Sequence, residues 1–224
     1  MSTILIYGYS GIGAAVAKQL HAQGDDIIIV SRQTLRDLPY TCIHEDVLEQ
    51  TLQSGIPDVV INTAGILHTA DHGPEKNIQQ LDAAWLNENI QANVMPTVRL
   101  AQLLTKHMSR NSALRFLVLS ARVSSISDNH LGGWYSYRMS KAALNMLVKN
   151  LSIEWQRQFP QATIVGYHPG TVDTALSKPF QANVPAEQLF SPEQAASYLL
   201  QVLEGLSLED SGKLVDWQGD VIPF

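Results

Sequence analysis

The chain has 224 residues, of which 45% are hydrophobic, so it is long enough to form one domain with a large core. A net charge of −6 without a basic run argues against nucleic acid as the main partner. The single cysteine, Cys42, excludes an internal disulfide, and no apolar run approaches the roughly 20 residues of a membrane helix. No signal peptide precedes the first predicted strand, so we expect a cytoplasmic protein with no membrane partner.

Strand-like and helix-like segments alternate along the chain. The predicted strands cover 3–7, 26–31, 40–44, 58–62, 114–120, 162–168 and 213–217. The predicted helices cover 11–23, 47–54, 79–108, 133–158 and 191–205. Continuous apolar runs such as Ile27-Ile28-Ile29-Val30 are typical of strands that are covered on both faces. The alternation predicts an α/β fold with a doubly wound parallel sheet of about seven strands, in a single domain over 1–224.

Several segments lack either pattern. The link 32–40 between the second and third predicted strands is too short for a helix and is closed by Pro39. We therefore expect a loop where a doubly wound sheet normally has a helix. The irregular stretches 66–78, 121–132 and 174–190 follow strand ends, on the side where a parallel sheet binds ligands. We predict substrate loops there, above all at 121–132 and 174–190.

A glycine-rich turn follows the first predicted strand and precedes an amphipathic helix. It contains Gly8, Ser10, Gly11, Ile12 and Gly13. Glycines let the backbone turn sharply and approach a pyrophosphate, whose charge is met by the helix N-terminus. The arrangement predicts a dinucleotide-binding βαβ unit in which these five residues contact the cofactor.

Tyr137 and Lys141 lie four residues apart in a predicted helix, which places a phenol and an ammonium on one helix face. A free tyrosine has a pKa of about 10, which is too high for acid–base work near neutrality. A cation within roughly 4–6 Å favours the phenolate and lowers the pKa by about 1–3 units. The pair is therefore a candidate for proton transfer, with an exposed surface pair as the alternative.

Five stretches match one known family in order and at suitable spacings. The segment from Gly132 to Asn145 reads GGWYSYRMSKAALN, and the segment from Val215 to Pro223 reads VDWQGDVIP. The others are the glycine-rich turn and the segments 62–65 and 168–174. The chain resembles the short-chain dehydrogenase/reductase family over essentially its whole length, and within it the C-factor and sniffer-type carbonyl reductase branch. The resemblance implies a Rossmann-type fold and NAD(P)-dependent hydride transfer between the cofactor and a small carbonyl or alcohol substrate.

The resemblance also implies roles for individual residues. Tyr137 is the acid/base, Lys141 lowers its pKa and binds the nicotinamide ribose, a serine holds the carbonyl oxygen, and Asn93 anchors a proton-relay water. The residues expected at the cofactor, besides the glycine-rich turn, are Asp46, Val47, Asn62, Ala64, Gly65, Tyr137, Lys141, Pro169, Gly170, Val172 and Thr174.

Two of these residues have structural alternatives. Asp46 is equally suited to cap the N-terminus of the predicted helix 47–54. Asn93 has the alternative of facing solvent, an interpretation that suits Asn87 and Asn89 better.

Two features depart from the family pattern. Ser120-Ala121 stands where the family usually has Ser-Ser, and the second serine normally polarises the substrate carbonyl. We assign that role to the adjacent Ser120, with Ser124 and Ser125 as alternatives. The first two glycines of the glycine-rich turn have two residues between them where the family usually has three, so the turn must be tighter.

The residues at the end of the second predicted strand indicate which cofactor is bound. NAD-selective sheets usually place an acid there to bind the ribose 2′-OH, whereas this chain has Ser31-Arg32. Arginine binds a 2′-phosphate through charge-assisted hydrogen bonds, which favours NADP over NAD. The sequence therefore favours an NADP-dependent oxidoreductase. The alternative is a dinucleotide-binding signalling or regulatory protein with vestigial catalysis.

Apolar residues on the predicted helices 79–108 and 133–158 exceed one stripe per helix, which predicts a homodimer or homotetramer through both helices. Loops covering the second face are the alternative. We predict no metal site. His68 and His72 have metal-like spacing but lie in a loop without an obvious third ligand, and His44-Glu45-Asp46 is a strand end.

Overall fold

The computed structural model describes residues 1–9 and 11–224, so the predicted cofactor residue Ser10 lies outside the described residues. The strands are β1 (Thr3–Tyr7), β2 (Asp26–Ser31), β3 (Thr41–His44), β4 (Val59–Asn62), β5 (Arg115–Leu119), β6 (Thr163–His168), β7 (Thr171–Val172), β8 (Leu189–Phe190), β9 (Leu214–Asp216) and β10 (Val221–Ile222). The helices are α1 (Ile12–Ala22), α2 (Leu48–Ser54), α3 (Ala83–Asn93), α4 (Met95–His107), α5 (Tyr135–Gln158) and α6 (Pro192–Gly205).

The main sheet has eight strands in the order β10-β9-β6-β5-β4-β1-β2-β3. Every neighbouring pair is parallel except β10 and β9, which pair antiparallel at the edge. The strand order reverses between β1 and β4, which is where a doubly wound sheet binds its ligands. The α/β class and the seven parallel strands are confirmed, and the short antiparallel β10 is an addition that the sequence analysis did not predict.

Helices cover both faces of this sheet because successive strand residues point to opposite sides. Leu5 and Val60 belong to one core, which includes apolar residues of α2, α4 and α5. Ile4 and Ile61 belong to the other core, which lies under α1 and α6. The continuous apolar runs of the central strands therefore match a sheet buried on both faces.

The predicted helix 79–108 is in fact divided into α3 and α4. Val94 separates the two helices, as the C-cap residue of α3 and the N-cap residue of α4. Pro96 occupies the first turn of α4. Proline has no N–H to continue the α3 hydrogen bonds, but it is well accommodated at a helix start. The predicted helix 133–158 begins two residues later, at Tyr135, because Gly133 and Trp134 have φ of +64° and +54°.

Residues 32–40 contain no helix, as predicted. The predicted irregular loop 174–190 has more structure than expected. It contains the 3₁₀ segments Lys178–Asn183 and Ala186–Gln188, and it ends in β8, which pairs with β7 in a separate small sheet. In the part of the chain that is described, no helix is both long and apolar enough to cross a membrane.

Candidate active site

A cavity of about 370 Å³ opens at the carboxyl edge of the main sheet. Its walls come from the ends of β4, β5 and β6, from the start of α1 and from α5. The lining residues are Gly11, Ile12, Thr63, Ala64, Gly65, Ile66, Leu67, His68, Leu119, Ser120, Tyr137, Lys141, Pro169, Thr174, Ala175 and Leu176. The fold thus brings together three predicted catalytic residues and six further predicted cofactor residues from distant parts of the sequence.

Tyr137 and Lys141 lie on the first turns of α5 and are both buried. Lys141 Nζ lies 5.9 Å from the centroid of the Tyr137 ring and donates a hydrogen bond of 2.9 Å to the Leu119 carbonyl. Burial lowers the pKa of Lys141 to about 8, because an ammonium loses hydration there.

Burial also raises the pKa of the Tyr137 phenol above its ordinary value. The spacing of Tyr137 and Lys141 predicted a lowered pKa for the phenol. In the folded chain the direction is the opposite, so this prediction was wrong. The physical reason is desolvation, which disfavours the charged phenolate. The spacing of two residues in a sequence does not show how deeply they are buried.

Asn93 is buried in a network and does not face solvent. Its Oδ1 accepts from the Ile66 N–H at 2.7 Å, and its Nδ2 donates to Ser140 Oγ at 2.9 Å and to the Ile66 carbonyl at 3.1 Å. The alternative of a solvent-facing Asn93 is therefore wrong. It is also wrong for Asn89, which is fully buried and donates to the Trp85 carbonyl, whereas Asn87 is exposed.

Ser120 lines the cavity, whereas Ser124 and Ser125 are buried behind it. Ser120 Oγ donates to Asn145 Oδ1 at 2.7 Å, and Asn145 Nδ2 donates to Ser124 Oγ at 2.6 Å. Ser125 Oγ instead accepts from the Asp128 N–H at 3.1 Å. Among the three serines, only Ser120 combines exposure to the cavity with a side-chain partner that orients it.

Asn145 was not selected as a site residue from the sequence. It is buried on α5, four residues after Lys141 and eight after Tyr137. Positions four apart fall on one helix face, so this spacing was the signal that could have identified it. Its contact with Ser120 depends on where β5 ends, which the sequence pattern does not give.

The glycine-rich turn packs against the end of β4. Gly8 has φ of +96°, and a Cβ at Gly13 would lie 2.5 Å from the Gly8 carbonyl oxygen. Thr63 Oγ1 lies within hydrogen-bond distance of the Tyr7 and Gly8 carbonyls, at 3.1 and 3.2 Å. Only glycine fits Gly13 without displacing the backbone of this turn. Gly11 caps α1 and has no side chain that could accept from the first N–H groups of the helix.

The segment 62–65 packs closely against its neighbours. Asn62 is buried, and it donates to Thr97 Oγ1 at 2.8 Å and accepts from the Ala64 N–H at 3.0 Å. A Cβ at Gly65 would lie 2.9 Å from Asn93 Oδ1 and 3.3 Å from Lys141 Nζ. Glycine therefore lets this turn pack directly against Asn93 and Lys141, with no room for a side chain at position 65.

The remaining predicted cofactor residues lie outside the cavity lining. Arg32, Asp46 and Val47 are exposed beyond the ends of β2 and β3. Val172 is buried in β7, and Gly170 packs against Phe190.

The N-cap alternative for Asp46 is wrong. Asp46 lies inside the 3₁₀ turn Glu45–Val47, and α2 has Val47 as its N-cap residue. Its carboxylate instead lies 2.9 Å from Nδ1 of His44.

An apolar cluster adjoins the cavity through Leu67 and Tyr137, which line it. It consists of Leu67, Ala121, Val123, Trp134, Tyr137 and Phe180. The Trp134 and Phe180 rings are tilted with centroids 5.1 Å apart, and His68 contacts Phe180 edge to face at 5.7 Å. Both predicted substrate loops thus contribute residues to this cluster.

His68 and His72 have separate partners. His68 Nε2 lies 3.1 Å from the Ala175 carbonyl, whereas His72 stacks on Trp85. Over residues 1–9 and 11–224, no group of three or more His, Cys, Asp or Glu side chains is placed to hold a metal ion.

Comparison with known proteins identifies the family. The short chain dehydrogenase family model matches residues 43–185. The chain is also 30% identical to the 1-hydroxy-2-glutathionyl-2-methyl-3-butene dehydrogenase of Rhodococcus sp. (strain AD45), over the whole of both chains. The chain therefore belongs to the short-chain dehydrogenase/reductase family and is an oxidoreductase of that type.

A second relative supports the predicted branch. The C-signal protein of Myxococcus xanthus is 31% identical over 76% of this chain and 95% of its own length.

Two solved structures share the fold. The carbonyl reductase Sniffer of D. melanogaster superposes with a TM-score of 0.82 at 20% identity, covering all of both chains. The NADPH-bound carbonyl reductase from chicken fatty liver gives 0.81 at 21% identity, covering 100% of this chain and 99% of its own.

Proposed function

We propose that the protein transfers hydride between NADP(H) and a carbonyl or alcohol substrate, with Tyr137 as acid/base. The observation that carries this proposal is the convergence of Tyr137, Lys141 and Ser120 on one cavity beside the glycine-rich turn. Three groups with different chemistry, from β5 and α5, face the same space at the ligand-binding edge of the sheet.

The residues present fit a dinucleotide. The first N–H groups of α1 carry the positive end of the helix dipole and suit a pyrophosphate. The small residues Ala64 and Gly65, with Pro169 and Thr174 opposite, line the cavity between that helix and Lys141. We assign Ser10, Asp46, Asn62 and Val172 to the same ligand from the family pattern.

NADP is the cofactor we propose. Arg32 is exposed at the end of β2, where a guanidinium can reach a ribose 2′-phosphate. The fold relative from chicken is bound to NADPH, which supports the same choice. NAD remains the alternative cofactor. When bound, the nicotinamide supplies the hydride.

The protein's own groups perform the proton chemistry. Tyr137 donates a proton to the developing alkoxide during reduction and accepts it during oxidation. The single O–H of Ser120 is donated to Asn145 Oδ1 in the structure. With substrate bound, this O–H turns to the substrate oxygen and stabilises the charge that develops there. The buried Lys141 ammonium favours the phenolate once Tyr137 has given up its proton. Asn93 holds Ile66 and Ser140 in place, and we assign to it the anchoring of a proton-relay water.

A second candidate function is a dinucleotide-binding signalling or regulatory protein with weak catalysis. The similarity to the C-signal protein favours it, as do Ala121 and the shortened glycine-rich turn.

Cofactor titration followed by a turnover screen separates the two functions. NADPH and NADH would be titrated by fluorescence, and turnover would then be measured on a panel of aliphatic and aromatic aldehydes and ketones. We expect tighter binding of NADPH and measurable turnover. Tight NADPH binding with no turnover on the panel would favour the signalling function.

We also propose a cytoplasmic homodimer or homotetramer. Most of the apolar residues that predicted the interface, such as Leu100, Leu144 and Trp155, are buried in the chain's own core. The large apolar residues that stay exposed on α5 are Met139, Met146 and Ile153, which are spaced by seven residues. A sedimentation mass near 25 kDa that does not change with concentration would exclude this assembly.

A further inference from the structure

The helix that carries Tyr137 begins without a side-chain cap of its own. The residue before α5 is Trp134, whose φ of +54° is left-handed, and its side chain caps no N–H group. The first four N–H groups of a helix have no partners within that helix, and leaving them buried and unpaired is costly. Partners for this helix start must therefore come from another part of the chain.

Glu75, near the far end of the loop 66–78, supplies a partner for one of these N–H groups. Its Oε2 accepts from the Ser136 N–H at 3.1 Å, and its Oε1 accepts from the Ser136 hydroxyl. The Glu75 carbonyl oxygen also accepts from the Trp134 N–H. A carboxylate that is placed 61 residues away in sequence thus takes the position of an N-cap.

The surroundings make this contact unusual. Glu75 is only 3% exposed and Ser136 is fully buried. The ion pairs found among the described residues do not include Glu75. Burying a carboxylate is costly unless hydrogen bonds and a favourable potential compensate for the lost hydration. Here the compensation comes from Ser136 and from the positive end of the α5 dipole.

A second anchor holds the next turn of the same helix. Asn93 Nδ2 donates to Ser140 Oγ at 2.9 Å, and Ser140 Oγ donates to the Tyr137 carbonyl at 2.8 Å. Asn93 also binds both backbone groups of Ile66, where the loop 66–78 begins. Tyr137 therefore lies between two anchor points, Ser136 and Ser140, that are tied to the two ends of one loop.

We propose that Glu75 is a positioning residue for Tyr137. It acts through Ser136 and fixes the first turn of α5, so that the phenol faces the cavity in the orientation that proton transfer requires. Small misplacements of a catalytic group reduce rates by up to about 10²-fold, so this contact affects turnover more than cofactor affinity. The inference rests on the proposed function, because it assigns a purpose to the orientation of Tyr137.

The test compares Glu75→Ala, the isosteric Glu75→Gln and Ser136→Ala with the wild type. The matched control is Ser191→Ala, which removes the N-cap hydrogen bond of α6, outside the cavity lining. We expect Glu75→Ala to lower kcat at least about tenfold while the Kd for NADPH stays within about threefold. Glu75→Gln, whose amide oxygen still accepts, should retain kcat within about threefold. Ser191→Ala should lower Tm and leave kcat unchanged.

Hydrogen exchange of residues 133–141 provides a readout that needs no substrate. Glu75→Ala and Ser136→Ala should speed exchange in this segment, and Ser191→Ala should not. Equal kcat in Glu75→Ala and the control, or unchanged exchange, would overturn the inference while the proposed function stands. If Glu75→Ala does not fold, the same two measurements, kcat and hydrogen exchange, are made on Ser136→Ala and decide the question. A wild type without turnover would overturn the proposed function, and exchange would still decide whether Glu75 fixes this turn.

Discussion

The two ends of the proposed cofactor site differ in how their side chains are held. Around Tyr137, the polar side chains of Asn93, Ser120 and Asn145 are buried and joined by hydrogen bonds. Beyond the ends of β2 and β3, Arg32 and Asp46 are exposed to solvent. Buried networks hold groups in place, whereas exposed charges act through weaker, salt-screened interactions. We therefore expect geometry to govern the end near Tyr137, and charge to govern the choice of cofactor at the other end.

Tyr137→Phe should have the largest effect, because it removes the only proton that the phenol can donate. General acid catalysis contributes about 10²–10⁴-fold, so we expect kcat to fall by about 10³-fold with little change in NADPH affinity. Tyr135→Phe, in the same turn, is the control and should stay near wild type. Near-normal turnover in Tyr137→Phe would show that another group is the acid. Lys141→Ala should reduce both kcat and cofactor affinity.

Ser120→Ala should have the next largest effect. Ser120 is the serine that lines the cavity, and loss of one such donor lowers kcat by about 10²–10³-fold. Ser125→Ala is the matched control, because Ser125 bonds a neighbouring backbone N–H outside the cavity lining. Steady-state kinetics on the same carbonyl substrate checks both variants. A larger loss in Ser125→Ala than in Ser120→Ala would reverse the assignment.

Arg32→Ala tests the exposed end of the site. We expect the ratio of NADH to NADPH dissociation constants to fall at least about tenfold, since charge-assisted hydrogen bonds contribute about 1.5–3 kcal/mol. The kcat measured with saturating cofactor should be unchanged. Arg36→Ala, in the same exposed loop, is the control. Equal affinities of the wild type for both cofactors would contradict the assignment of NADP.

The titration of His168 should have the smallest effect, and this effect is on stability rather than on turnover. Burial lowers the pKa of the His168 imidazole to about 4, and the charge of Arg122 acts in the same direction. An unfolded histidine has a pKa of about 6.5, so below that pH the unfolded state takes up a proton that the folded state rejects. Stability is therefore retained above pH about 6.5 and lost as pH falls towards 4.

Thermal unfolding at pH 7.5 and 5.5 checks this expectation. From pH 7.5 to 5.5, the free energy of unfolding of the wild type should fall by about 1 kcal/mol more than that of His168→Asn. The asparagine side chain does not titrate. An equal loss in both proteins would show that His168 does not carry this pH dependence.

The sequence by itself determined the sheet and the placing of Tyr137 beside Lys141. Apolar runs at the spacing of strands and helices gave the seven parallel strands, because burial on two faces demands continuous apolar residues in a strand. Helical periodicity placed Tyr137 and Lys141 on one face of α5, because positions four apart are neighbours in any helix.

Tertiary structure decided the features that depend on distant partners. Asn145 orients Ser120 across the gap between α5 and β5, and Glu75 reaches Ser136 from a separate loop. The raised pKa of Tyr137 comes from burial among residues of several segments. Local sequence patterns indicate the secondary structure that neighbouring residues form. Hydrogen bonds between remote residues and the loss of hydration arise only once the chain has packed.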